Sequence, residues 1–200
     1  SFDVTDNETK EARTAVIKLE LASKGMAVNL KVTQGVKTKQ YSFEELRAVL
    51  SSAGEHSFDG DYFEGVITAD GGQKNMETNP MISATSSYND NESAITNYVQ
   101  SLDGKYGMRL KFTMAVDNTF KKGDKVKISL NGTTLVREDN PVRYTLKDVT
   151  ANTVTVEENI QLSARQKTIS ELTDEDIYTW TTLKDVEIAF SYGSYNNVGT

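Results

Sequence analysis

"AITNYVQSLDGKYGMRLKFTMAV", residues 94–116, decides the architecture of this chain. Ile95, Tyr98, Val99 and Leu102 stand at i, i+3, i+4 and i+7, the spacing of one helix face. The same residues also fit a strand that runs into Asp103-Gly104 and returns as a second strand, Met108 to Val116. Asp-Gly between alternating apolar residues is a strong hairpin signal. A long helix here would demand a layered α/β core, whereas a hairpin makes the chain all-β. The turn chemistry favours the hairpin.

Strand signals dominate on both sides of it. Upstream, "DYFEGVITAD" at 61–70 is a strand with Gly65 inside it, where a bulge or sharp bend is expected. Downstream, Val126, Ile128 and Leu130 alternate with polar residues up to Asn131-Gly132. "PVRYTLKDV" and "NTVTVEE" follow as two short strands around Ala151-Asn152. "TISELTDEDIYTW" reads as a helical turn or two, and "TTLKDVEIAFSYG" as a closing strand with Leu183, Val186, Ile188 and Phe190 as its apolar residues. One true helix is predicted in "YSFEELRAVLSSAG": Ser42 and Glu45 form a capping box, Tyr41 and Leu46 occupy staple positions, and Gly54 is the expected stop. Residues 71–93 are loop-like, rich in Asn and Ser, with Pro80.

The chain begins with a second hairpin. "ARTAVIKLELASKGMAVNLKVTQ", residues 12–34, holds two alternating runs, Thr14–Leu21 and Met26–Thr33, around Ser23-Lys24-Gly25. The second run is a clean period of two through Met26, Val28, Leu30 and Val32. The first, through Val16, Leu19 and Leu21, contains a slip. A two-stranded hairpin alone is marginal in water, so it needs something to lean on. Residues 37–41, "KTKQY", read as a connector, which divides the chain into an N-terminal hairpin at 1–40 and a larger unit at 41–200.

Composition narrows the chemistry. With 200 residues, 37% hydrophobic and 26% charged, the chain can build one large or two small domains. No apolar run approaches the length of a membrane span. The polar opening "SFDVTDNETK" reads as a mature or trimmed start rather than a targeting segment. The absence of cysteine removes disulfides, thiolate metal sites and cysteine nucleophiles. The net charge is −7, and it is uneven: residues 1–40 carry seven Lys+Arg against five Asp+Glu, residues 41–200 fifteen against twenty-four. Binding to nucleic acid draws on a basic surface, so the larger part of the chain has the wrong sign for it.

Two resemblances add to this. Arg13-Thr14-Ala15 and Val32-Thr33-Gln34, at the ends of the first hairpin, are similar to the last strands of a BACON domain, an immunoglobulin-like β-sandwich of Bacteroidetes surface proteins; the strands that precede them in that family are missing here. Residues 41 to about 190 resemble a Bacteroidetes family of lipoprotein domains of unknown function with an OB-like barrel. Tyr62, Gly65, Val66 and Asp70 in "YFEGVITAD", the hairpin "NYVQSLDGKYGMRLKF", Gly123, Val126 and Gly132, and the closing "TLKDVEI" carry this likeness. It implies export and attachment through a lipidated cysteine upstream of Ser1, the chain's only expected link to a membrane.

No motif marks a reactive centre. His56 is the single histidine and reads as a solvated loop residue; no Gly-x-Ser-x-Gly elbow and no phosphate-cradling glycine loop occurs. The acidic clusters at 59–64, 89–92 and 173–177 match no calcium loop and read as solvated surface. Exposed aromatic rings can serve as stacking platforms for sugars. Tyr178, Trp180, Tyr192 and Tyr195 are the leading candidates for a ligand-binding platform, with Tyr88, Tyr98 and Tyr106 as a second group.

The expectation is therefore an all-β protein: an OB-like β-barrel of about five or six strands with one or two short helices and an N-terminal β-hairpin. The expected role is a non-enzymatic module of an exported, cell-surface lipoprotein that binds a glycan or another surface protein, or acts as a spacer, with no cofactor and no metal. The alternatives are an adhesin or pilus-like subunit that exchanges a strand at an open edge, an enzyme acting on polysaccharide through two facing carboxylates, and a single-stranded nucleic-acid-binding OB domain, which the acidic charge disfavours.

Overall fold

The computed structural model describes residues 4–9, 11–72, 90–162 and 164–187. It is mostly β-sheet with two short α-helices, and it divides into two compact units, residues 1–39 and 40–200.

The first unit is the N-terminal hairpin. β1 (Arg13–Leu21) pairs antiparallel with β2 (Met26–Gln34) in unbroken register from Arg13↔Gln34 to Leu21↔Met26. Gly25, at φ 62°, takes the left-handed turn position beside the 3₁₀ turn Ala22–Lys24. The register corrects the expected slip. Ala15, Ile17, Leu19 and Leu21 share one face with Val32, Leu30, Val28 and Met26, while Val16 lies on the other face opposite Lys31. The alternation is strict; the apparent slip arises because Val16 places an apolar side chain on the polar face. Residues 5–9 close the base: the buried Asn7 amide donates to the carbonyls of Glu11 (2.8 Å) and Gly35 (2.9 Å), and the Gln34 amide donates to Thr5 O (2.9 Å).

The second unit contains the main sheet. In chain order its elements are β3 (Gln40–Tyr41), α1 (Phe43–Ala48), β4 (Gly54–Ser57), β5 (Tyr62–Ile67), α2 (Asp90–Ala94), β6 (Thr96–Gln100), β7 (Gly107–Phe112), β8 (Asp124–Ser129), β9 (Thr134–Glu138), β10 (Arg143–Val149), β11 (Val154–Asn159), β12 (Arg165–Lys167) and β13 (Thr181–Leu183). Residues 96–112 form the hairpin: α2 ends at Ala94, β6 returns as β7 in register from Thr96↔Lys111 to Gln100↔Gly107, and β7 ends at Phe112, short of the expected Val116, before a 3₁₀ turn at Ala115–Asp117.

The sheet runs β11-β8-β5-β6-β7-β10-β9-β4, with β3 alongside β5; the β10–β7 and β3–β5 pairs are parallel and the others antiparallel. It is open, which corrects the expectation of a closed barrel. Among the described residues β11 pairs only with β8 and β4 only with β9. Both edges are unsuited to closure. Beyond Val154, β11 is exposed and carries Glu157 and Glu158 against Lys125, and β4 is four exposed residues. Charge and brevity are common ways to blunt an edge.

One face of the sheet is the core. Phe63 and Ile67 of β5, Val99 of β6, Met108 and Leu110 of β7 and Ile128 of β8 are fully buried there. Phe43 and Leu46 of α1 join them, with the Phe43 ring edge-on to Phe63 at 5.4 Å. Gly65 marks no bulge, since β5 keeps regular register with both neighbours. A Cβ there would lie 2.6 Å from Val99 Cγ2 and 2.7 Å from Gln100 O, so glycine permits the close approach of β6. The helix stops at Ala48, well before Gly54, which opens β4; Val49 and Leu50 leave the helix but still pack on the core.

Residues 160–187 form a strap on the opposite face. It contains β12 and β13, paired in parallel, and two 3₁₀ turns at Ile169–Glu171 and Asp174–Asp176. Of the expected closing strand, the described residues pair over Thr181–Leu183. Leu183 and Val186 are exposed, and Ile188 and Phe190 lie outside the described residues. Gly107 seats the strap: a Cβ there would fall 2.5 Å from Ile177 O and from Tyr178 C. Val66, pointing away from the core, is buried nevertheless and shares a cavity of about 180 Å³ with Ile160, Leu162 and Arg165.

Candidate functional site

Of the four residues of the predicted aromatic platform, Tyr178 and Trp180 lie among the described residues. Tyr178 is half-buried, at φ 69°, and its ring stacks on Tyr98 at 5.0 Å and 22°. A bulky residue in the left-handed region is uncommon and needs its surroundings to hold it there. Trp180 is 39% exposed, but the Lys122 ammonium lies 3.3 Å from its ring centre, and its backbone N–H donates to Gln100 Oε1 at 2.7 Å. These rings fasten the strap to the sheet. Tyr192 and Tyr195, like Tyr88, lie outside the described residues. Tyr106 is buried, between Arg47 (5.1 Å to the ring centre) and Lys105 (4.6 Å). His56 is exposed on the edge strand β4, 4.7 Å from the Phe58 ring centre.

The acidic cluster at 173–177 also departs from expectation. Asp176 is buried and ion-paired with both Arg165 and Lys167, the latter at 2.6 Å, and it accepts from Thr173 N at 2.9 Å. Burial by itself would raise its pKa. The Lys167 and Thr173 hydrogen bonds and the two positive charges outweigh that and hold the carboxyl below its usual value. This is a structural lock on the strap.

The concave site of the second unit lies elsewhere. A cleft of about 340 Å³ opens between the β3–α1 segment and the β6–β7 turn, with Glu64 of β5 on its floor. Local rules build each wall. Ser42 caps α1 by accepting from Glu45 N (3.1 Å), while Glu45 accepts from Ser42 N (2.8 Å); this fixes Tyr41, Phe43 and Glu44 on one rim. Gln40 is held by the Tyr62 hydroxyl, which donates to its side-chain oxygen at 3.2 Å. On the other rim, Asp103 accepts from Ser101 Oγ (2.5 Å) and Lys105 N (3.0 Å), and Ser101 Oγ accepts from Tyr106 N (3.0 Å). Gly104 takes the left-handed position of that turn at φ 69°. The Ser101 and Lys105 hydrogen bonds hold Asp103 below the usual carboxylate range.

The lining is amphipathic. Phe43, Leu102, Tyr41 and Tyr106 supply apolar and aromatic surface, and Gln40, Ser42, Glu44, Glu64, Ser101 and Asp103 supply oxygen acceptors. Three carboxylates face one ammonium, Lys105, so the cleft repels anions. Among the described residues no group of acids and histidine is placed to hold a metal ion. Sequence reasoning located both walls, through the capping box and the Asp-Gly turn, but had no signal for their meeting. That depends on β3 and β6 pairing in tandem along one edge of β5, β3 beside Tyr62 and Phe63 and β6 beside Val66 and Ile67, with β8 on the other edge.

No family model matches the chain, and comparison with curated proteins and with solved structures gave no match.

Proposed function

We propose that the chain is a non-enzymatic binding module of an exported bacterial surface protein, and that its cleft between the β3–α1 rim and the β6–β7 turn takes a hydroxyl-rich ligand, a glycan. The observation that carries this reading is the pairing of apolar and ring surface with fixed oxygen acceptors in one open cleft. Sugar rings present an apolar face and a periphery of donating hydroxyls, and a few placed polar groups on an apolar lining is the usual composition of a ligand site. The exported, lipid-anchored setting rests on the resemblance of residues 41 to about 190 to Bacteroidetes lipoprotein domains.

Two other readings fit the cleft less well. Glycoside hydrolysis needs one carboxyl held protonated near neutral pH, and Asp103 is displaced in the opposite direction. Single-stranded nucleic acid would meet the excess of carboxylates.

The test is a glycan array followed by titration calorimetry on the whole chain. The expected result is binding of a neutral glycan that weakens about tenfold, or roughly 1.4 kcal/mol, in a Glu44→Gln/Glu64→Gln variant and is unchanged by Trp180→Ala. Absence of any glycan ligand, or binding lost with Trp180→Ala but not with the cleft variant, overturns the assignment.

A further inference from the structure

We propose that the cavity between the strap and β5 is an acetamido subsite of the neighbouring cleft, so that the ligand is an N-acetylhexosamine glycan; this rests on the glycan reading of that cleft. The two hollows adjoin on one face of the sheet. Glu64 lines the cleft and Val66 lines the cavity. They stand two residues apart on β5, so they share its outer face at a spacing of about 7 Å. Leu102 and Asp103 line both hollows. Gln100, the cross-strand partner of Val66 on β6, lines the cavity as well. A sugar in the cleft therefore reaches the cavity with a side group that passes the Asp103 turn.

The cavity, about 180 Å³, combines two kinds of surface. Val66, Ile160, Leu162 and Ala164 give it an apolar wall. Arg165 and Asp103 give it a donor and an acceptor. Arg165 Nη2 donates to Lys105 O at 3.4 Å and to Asp176. Its Nε is enclosed and has no hydrogen-bond partner among the described residues. A buried donor left unmet costs free energy, so such an atom calls for an acceptor that the fold itself does not supply. The hydrogen bonds that Asp103 accepts from Ser101 Oγ and Lys105 N both end on Oδ1, which leaves Oδ2 for a ligand.

Charge selects a neutral group. Arg165 and Lys167 outnumber Asp176 by one, and Asp103 at the cavity offsets that excess, so neither a carboxylate nor an ammonium is favoured there. The sugar substituent that is neutral and carries a methyl, a carbonyl and an N–H is the acetamido group. Its methyl meets the apolar wall, its oxygen accepts from Arg165 Nε, and its N–H donates to Asp103 Oδ2. It takes the space of two or three waters of about 30 Å³ each, well within the cavity.

Titration calorimetry of the whole chain with three trisaccharides that differ only at C2 tests this: triacetylchitotriose, its free-amine form and cellotriose. The acetylated probe should bind at least about tenfold tighter than the other two, the least discrimination that a fitted apolar group supplies. Ala164→Leu fills the cavity. Arg165→Lys keeps a cation beside Asp176 but removes Nε. Each should bring the acetylated probe down to the affinity of cellotriose and leave cellotriose unchanged, a ratio that a general loss of stability would not move. Saturation-transfer NMR on the wild type needs no variant and should place the strongest contact on the acetyl methyl. Equal affinity for triacetylchitotriose and cellotriose overturns the subsite, Arg165 Nε then being met by water, and leaves the glycan reading standing. So do failure of triacetylchitotriose to bind, a preference that survives both variants, and a glycan array whose ligands all lack N-acetylhexosamine. An array with no ligand removes the glycan reading and the subsite together.

Discussion

Asp176 illustrates how much a single carboxylate can hold. Its side chain is 5% exposed, and Arg165 and Lys167 reach it from β12 while Thr173 N caps it from its own turn. Removing one member of a buried ion pair leaves the others uncompensated. Because the two cations keep partial contact with water, Asp176→Asn should cost about 2–3 kcal/mol at neutral pH, below the full range for such losses. The sign of the pH dependence follows from the lowered pKa. The stabilisation is complete above the unfolded-state value of about 3.9 and is lost as pH falls through the depressed folded value. Urea unfolding of wild type and Asp176→Asn at a series of pH values should therefore show a gap that is constant near neutrality and narrows in acid. A gap that widens in acid would show the carboxyl is protonated in the fold. None of this was legible in "TDEDI", which reads as solvated acid because its two cations come from a segment with no acidic periodicity of its own.

At the level of elements, α1 is short and leans on its cap. Six residues make barely more than one turn, too few to persist by propensity alone. The Ser42–Glu45 capping box and the burial of Phe43 and Leu46 hold it. Ser42→Ala should therefore cost about 1 kcal/mol in denaturant unfolding. Because Tyr41, Ser42, Phe43 and Glu44 form one rim of the cleft, it should also weaken the ligand that the Glu44→Gln/Glu64→Gln variant weakens. Equal affinity in wild type and Ser42→Ala would detach the rim from binding. The strap is the contrasting element. Of its aromatic residues, Tyr178 packs on Tyr98 and Trp180 receives the Lys122 ammonium. An aromatic-rich segment of low periodicity can be a platform or a clasp, and only the surface it meets distinguishes them.

For the whole molecule, the buried core of the second unit is built, among the described residues, from side chains between Tyr41 and Val154. A chain shortened to residues 40–200 should accordingly keep the denaturation midpoint of the full chain and bind the same glycan. A shortened chain that aggregates, or unfolds at clearly lower denaturant, would show that the units depend on each other. The charge of residues 41–200, fifteen Lys+Arg against twenty-four Asp+Glu, acts at this scale too, since it opposes polyanions over the whole surface.

The sequence by itself determined the β class, the hairpin at 94–116, the capped helix at Ser42 and the N-terminal strand pair. Each of these is written in contacts between residues close along the chain: period two, turn glycines, a four-residue cap. Tertiary structure decided the rest. It left the sheet open at β11 and β4 among the described residues, turned Gly65 and Gly107 into sites of close approach, buried Asp176 between two cations, and brought the capped helix and the Asp103 turn together along one edge of β5. Those outcomes depend on pairings between segments far apart in the chain, and local spacing carries no record of which strands will meet.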